Sequence, residues 1–231
     1  MNDSKIKLIM PVVSDSDQAL IEYLNEIKEP NTQLALVTVK GGVESIESYY
    51  DASIATPYIL KEVESAGEEG FDAVTILCGT DPALNAAKEV ADVLVVGILE
   101  AAIHTACVLG RKFSLLTVLP RTVGNKHDKI GEMGLIGRCA SIVPLGVPVL
   151  ELHKNRDRLI QVLIEKASLA VERDQADTIV LTCVGMFDVA GELSQRIGIP
   201  VLEPAACGVK WCEMLLRMRH LQSRKAFPLA R

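Results

Sequence analysis

The sequence predicts an α/β protein made of two related half-molecules, each a parallel sheet flanked by helices. Short apolar runs alternate with helical patterns along the whole chain, and strands separated by helices pair in parallel through right-handed crossovers. Apolar residues make up 49% and aromatics only 4%, which suits sheets of Val, Ile, Leu and Ala under a helical cover. Finally, one segment recurs. Phe71-Asp72-Ala73-Val74-Thr75-Ile76-Leu77-Cys78 is repeated in form by Ala176-Asp177-Thr178-Ile179-Val180-Leu181-Thr182-Cys183, 105 positions later. The register then holds without a gap: Leu84 falls on Val189, Val96 on Val201, and Ala101-Ala102 on Ala206-Cys207. Each copy reads as a buried strand, a cysteine at its end, a helix and a second short strand.

Taken in order, the apolar run over 6–13 predicts a first strand, 17–28 a helix and 34–39 a second strand. Thr56 before Pro57 has the form of an N-cap with proline at the first helical position, opening a helix toward Ala66. Strands follow over 71–77 and 93–96. The second half repeats the theme with strands over 113–119, 141–143, 178–182 and 200–202, and helices over 123–132, 157–173 and 189–197. A last helix over 209–220 is expected to pack back on the first half. The chain crosses between halves near Gly97 and again over 203–207, which gives one lobe of residues 1–97 plus 208–231 and another of 98–207.

Several function classes are disfavoured. The formal charge of −6 opposes a nucleic-acid partner, because phosphate binding needs clustered positive charge. Arg217, Arg219, Arg224, Lys225 and Arg231 read as a solvated helix end and tail. No run approaches the roughly 18 apolar residues of a membrane span, and the start Asn2-Asp3-Ser4-Lys5 lacks a signal peptide's apolar core. A cytosolic protein is expected, with no membrane partner and its six cysteines as thiols. No phosphate-binding loop is present, and Gly131-Glu132-Met133-Gly134-Leu135-Ile136-Gly137 follows no strand in the order a dinucleotide site requires.

Chemistry points to Cys78 and Cys183. Ligands of parallel sheets bind beyond the carboxyl ends of strands, where both cysteines stand. A helix N-terminus after each would favour a thiolate. Gly79 and Gly185 let backbone approach a ligand, while Thr80, Thr182 and Thr117 offer hydroxyls. Buried cysteines at strand ends are commonly inert; the matched pair is what favours function. Two thiols facing one carbon can move a proton between its faces. His104 with Cys107, and Cys207 with Cys212, lack the further ligands of a metal site, so no metal is expected. Glu100 reads as a cleft-rim acid or as a first-turn acid favoured by the helix dipole. Glu47 and Ser48 read as substrate contacts or as caps of the helix holding Asp51.

These residues resemble the aspartate/glutamate/hydantoin racemase superfamily, and within it the hydantoin and allantoin branch. The resemblance is carried by Ser45-Ile46-Glu47-Ser48-Tyr49-Tyr50-Asp51, Cys78-Gly79-Thr80-Asp81-Pro82-Ala83-Leu84, Gly97-Ile98-Leu99-Glu100-Ala101-Ala102-Ile103-His104, Leu119-Pro120-Arg121-Thr122, Arg138-Cys139-Ala140-Ser141 and Cys183-Val184-Gly185-Met186. It implies two pseudo-symmetric flavodoxin-like lobes with the active site between them, and homo-oligomers. It also implies racemisation without a cofactor, Cys78 and Cys183 acting as the acid-base pair. Pro11, Ser14, Val43, Gly79, Thr80, Thr117, Val184 and Gly185 are assigned as contacts of a small-molecule substrate. The chain departs from the family pattern at Met10-Pro11-Val12-Val13-Ser14, where Asn-Pro-Asn-Thr is usual, and at Gly79-Thr80, where Phe-Gly is usual. Such changes bear on substrate identity more than on chemistry. An amino-acid racemase or a related dicarboxylate isomerase or decarboxylase stands beside the hydantoin reading. A binding protein that kept the cleft without turnover is the alternative from another class.

Overall fold

Each half folds around four parallel strands. The computed structural model describes residues 3–14 and 18–230. The first sheet comes from β1 (Ser4–Met10), β2 (Thr32–Thr38), β3 (Ala73–Ile76) and β4 (Leu94–Gly97), with helices α1 (Gln18–Ile27), α2 (Tyr49–Glu64) and α3 (Leu84–Val90) between them. After α4 (Ile98–Leu109), a second sheet follows from β5 (Phe113–Thr117), β6 (Cys139–Pro144), β7 (Thr178–Leu181) and β8 (Val201–Leu202). Its connecting helices are α5 (Val123–Glu132), α6 (Arg156–Glu172) and α7 (Ala190–Ile197), and α8 (Pro204–Arg217) is the last helix. Strand order is β2-β1-β3-β4 in one sheet and β6-β5-β7-β8 in the other, so the halves share one topology. The 105-residue offset lays β3 on β7 end to end. Both strands are wholly buried, which is why they read as continuous apolar runs rather than alternating ones.

The halves exchange their last helices. Ala205, Val209 and Cys212 of α8 are buried with Ile6 and Leu8 of β1, whereas Leu99, Ala102, Ile103 and Ala106 of α4 pack with Phe113, Leu115 and Val180. A Cβ on Gly208 would lie 2.8 Å from Ile98 Cγ2 and 2.9 Å from Thr75 Oγ1. The absence of a side chain there lets α8 approach α4 and β3 closely.

Among the boundaries that differ from the sequence expectation, three have a clear local cause. The helix expected at Thr56–Pro57 starts at Tyr49, because Ser48 Oγ accepts the Asp51 amide at 3.1 Å while the Asp51 carboxylate accepts the Glu47 amide at 3.0 Å. That reciprocal cap satisfies two orphan donors and outweighs the Thr-Pro signal, leaving Pro57 inside the helix. α8 begins at Pro204 rather than 209, since the Glu203 carboxylate accepts the amides of Ala205 and Ala206. β1 stops at Met10, before Pro11, which has no N–H to continue a ladder. Asp17, where the first helix was expected to open, lies outside the described residues, as do Asn2 and Arg231. Among the described residues no helix is long and apolar enough to cross a membrane.

Candidate active site between the two sheets

The C-terminal ends of the two sheets meet. A Cβ on Gly79 would fall 2.0 Å from the Thr182 carbonyl oxygen, so backbone abuts backbone where the two cysteine turns touch. Beside this contact lies a cavity of about 250 Å³, large enough for a small heterocycle. Cys78, Gly79 and Thr80 line it from one lobe and Thr182, Cys183, Val184 and Gly185 from the other. Pro11, Ser14 and Thr117 also line it, and Thr117 Oγ1 is hydrogen-bonded to Thr122 Oγ1 at 2.7 Å. Val43 is not among the lining residues. Its carbonyl accepts the Val13 amide at 2.8 Å and its side chain packs on the first lobe's core, so it shapes the Pro11–Ser14 turn from behind.

The turns after the cysteines differ from expectation. Five residues separate Cys78 from the start of α3, and a 3-10 turn over Val184–Met186 separates Cys183 from α7. Neither sulfur therefore sits at an α-helix N-terminus, and burial decides the thiols' acidity instead. Burial pushes the Cys78 thiol up, opposed by the Thr80 hydroxyl at 3.2 Å, by the charge of Lys126 and by the Thr80 amide. It pushes Cys183 up to about 12, opposed first by the Gly185 amide. Thr80 and Gly185 are equivalent under the 105-residue offset, so each sulfur faces the amide two residues ahead.

Lys126 was not foreseen. It lies on α5, only 2% exposed, and lines the cavity. Burial pushes its ammonium down to about 8 against the raising charges of Cys78, Cys183 and Asp81. Its signal in the sequence was a lysine four positions before Ile130, on the stripe where a core-facing helix should carry an apolar side chain. Met10, Val12 and Phe187 complete an apolar wall.

The whole arrangement has counterparts. The Asp/Glu/hydantoin racemase family model matches residues 17–212. A hydantoin racemase from Pseudomonas sp. (strain NS671) is 36% identical over 213 residues, covering 92% of this chain and 86% of that protein. Among solved structures, an allantoin racemase from Klebsiella pneumoniae superposes with a TM-score of 0.91 at 31% identity, covering 99% of this chain and 95% of that one. The allantoin racemase of Pseudomonas fluorescens gives 0.94 at 30% identity, with 98% and 97% covered. The chain belongs to the Asp/Glu/hydantoin racemase family. It is an isomerase of the racemase type.

In this racemase the remaining sequence candidates have structural work. Glu47 neither caps α2 by its side chain nor lines the cavity. Its carboxylate pairs with Arg121 and accepts the Val149 amide at 2.7 Å, tying the first lobe to the second. Tyr49 adds a hydroxyl to the Asp128 carboxylate across the same seam. Glu100 pairs with Lys88 at 2.7 Å and reaches the Gly97 amide, the role of a first-turn acid. Asp81, three residues after Cys78, accepts the amides of Leu99 and Glu100 at 3.1 and 2.7 Å, and burial pushes its carboxyl up to about 7. His104 bonds the Glu100 carbonyl and packs on Trp211, and Cys212 is buried. Among the described residues no group of three or more His, Cys, Asp or Glu is arranged to hold a metal ion.

Proposed function

We propose that this racemase inverts the stereogenic carbon of a 5-substituted hydantoin or of allantoin, without a cofactor, by proton transfer between Cys78 and Cys183. The observation that carries the reading is that the two thiols line one cavity, one from each lobe, each close enough for the Cys78 charge to bear on Cys183. A thiolate takes the proton from the ring carbon, the C–H electron pair moves onto the adjacent carbonyl as an enolate, and the other thiol returns a proton to the opposite face. Thiol and thiolate have then exchanged places, and the reverse hand is processed from the new state. A hydantoin ring suits this chemistry because its carbon-bound proton is more acidic than that of a free amino acid. The apolar wall of Met10, Pro11, Val12 and Phe187 suits a neutral heterocycle. A free amino acid would require more fixed charge for its carbanion.

The lobes of this reading are residues 1–97 with 208–231 and residues 98–207, a division supported by the packing of α8 on β1. A cytosolic homo-oligomer is part of the same proposal, and light scattering of the purified protein tests the oligomer. The function is tested by proton NMR in deuterium oxide with single-enantiomer hydantoins, allantoin, aspartate and glutamate. Loss of the stereogenic-carbon proton together with decay of optical rotation is expected on a hydantoin or on allantoin. Exchange confined to aspartate or glutamate would replace the substrate class, and binding without any exchange would sink the enzymatic reading for this panel.

A further inference from the structure

We propose that Lys126 is a positioning residue that holds the cysteine pair at one shared negative charge and seats that charge, at rest, on Cys78. The inference rests on the two-thiol reading above but concerns a group that reading does not use. Lys126 reaches the cavity from α5, and the one hydrogen bond of its Nζ among the described residues is to Asn125 Oδ1 at 3.3 Å. A buried ammonium needs a counter-charge, and the groups that face it are few. From the turn after β3 come Cys78 and Asp81, and from the turn after β7 comes Cys183. Asp81 has both carboxylate oxygens turned to the α4 amides rather than to Lys126, and of the three its charge bears least on the ammonium. Glu44 and His153 also line the cavity, but both are exposed and are screened by solvent. Glu47, whose charge reaches Cys183, is itself paired with Arg121.

Charge counting over the two sulfurs and Lys126 then narrows the protonation state. Two thiols beside the ammonium leave the cavity at +1, and two thiolates leave it at −1. Two sums are neutral, one thiol and one thiolate beside the ammonium or two thiols beside the free amine, and a buried low-dielectric site favours both over a net charge. Only the first readies a two-base racemase, with one base and one acid, and it is the state we assign. The three groups hold two dissociable protons beyond those of the neutral amine before and after turnover, because the proton taken by one sulfur is matched by the proton released from the other. Lys126 keeps its own protons throughout.

The two sulfurs do not share the charge equally. Cys78 receives the Thr80 hydroxyl at 3.2 Å as well as the Thr80 amide, whereas Cys183 has the Gly185 amide and lies within reach of Glu47's charge. Hydrogen bonds to an ionised group stabilise it more than neutral ones do, so the resting thiolate is on Cys78.

The test needs no substrate. Thiolate absorbance and residue-resolved alkylation by iodoacetamide are followed against pH in the wild type, Lys126→Met, Lys126→Gln and Lys126→Arg. The wild type is expected to show one thiolate per cavity, alkylated at Cys78 before Cys183. Removal of the cation in the Met and Gln variants is expected to raise the midpoint by about one pH unit or more and to slow Cys78 alkylation at neutral pH about tenfold or more, while Arg restores both. Two chemically different neutral replacements, each checked by its thermal melt, keep a folding defect in one from deciding the result. An unchanged midpoint in the folded neutral variants, or Cys183 reacting first in the wild type, would overturn the proposal. Because no turnover is read, failure here leaves the racemase reading standing, and a substrate panel without exchange leaves this titration as it is.

Discussion

The turn after Cys78 and the turn after Cys183 are copies that have diverged. Backbone is what they share: equivalent parallel strands, a cysteine at the same place, and an amide two residues on that faces the sulfur. Side chains are what separate them. The first copy has Thr80 and Asp81 where the second has Gly185 and Met186. Duplication of a fold thus supplies two thiols in equivalent frames, while local substitutions make one a better seat for negative charge. A strictly symmetric pair would leave the resting base undetermined; this pair does not.

The largest effect that probes the comparison is removal of either sulfur. Cys78→Ser and Cys183→Ser are each expected to lower racemisation by roughly 10²–10⁴-fold. The informative readout is which hand still exchanges its proton with solvent. A lone remaining base can remove and return a proton on its own face, so the two variants should retain slow exchange on opposite enantiomers. Exchange of the same hand by both variants would contradict facing bases.

The glycines come next. Ala at position 79 drives a Cβ into the Thr182 carbonyl at 2.0 Å, whereas at position 185 it meets Leu152 Cδ1 at 3.1 Å and His153 Nε2 at 3.2 Å. Backbone cannot yield as side chains can. Gly79→Ala is therefore expected to destabilise by about 1–3 kcal/mol and to part the lobes, with activity falling too; Gly185→Ala should cost less than about 1 kcal/mol. Thermal melts of the two variants side by side would show it, and equal losses would mean that the seam is not set by the Gly79 contact.

Thr80→Val sharpens the asymmetry itself. Losing the hydroxyl at 3.2 Å from Cys78 removes a bond to an ionised group worth about 1.5–3 kcal/mol. A roughly tenfold or greater drop in kcat/KM is expected for the enantiomer deprotonated by Cys78, with a smaller drop for its mirror image. Equal losses in both directions would make the hydroxyl a general structural support instead.

The smallest effect concerns the helices that follow. The amides that open α4 are bonded by Asp81, from the cysteine turn, and those of α8 by Glu203, its own N-cap. Burial pushes both carboxyls up to about 7. A folded-state pKa above the unfolded value means that the native protein binds the extra proton. The stability each contributes is fully present below the unfolded carboxyl range near pH 4 and is lost as pH rises through about 7. The thermal midpoint should fall across that window from these groups, and Glu203→Gln should remove its share of the slope while Asp81 keeps its own.

Much of this was legible before any coordinate. Fold class and strand positions followed from apolar runs of four to eight residues separated by helical patterns, because a strand buried on both faces must be apolar throughout. β7 and α5 were recoverable nearly to the residue, since their flanking residues break the pattern sharply. The start of α2 was not, because Ser48, Glu47 and Asp51 form a cap only once their side chains meet, and Thr-Pro offered a competing local signal. Cys78, Cys183, Gly79, Thr80, Thr117, Val184, Gly185, Pro11 and Ser14 all line the cavity; Val43 stands behind it, its role exercised through a carbonyl that no side-chain reasoning weighs.

What the amino-acid order determined by itself is local and periodic: two strand-cysteine-turn units in register, each ending where a parallel sheet binds its ligand. What only the tertiary structure decided is which distant groups share a space. Thr182 pressed on Gly79, Glu47 bridging to Arg121 and Val149, and Lys126 facing both sulfurs join residues 48 to 103 positions apart. The acidity of the thiols belongs with them, because desolvation is set by everything that packs around a group and not by its neighbours along the chain.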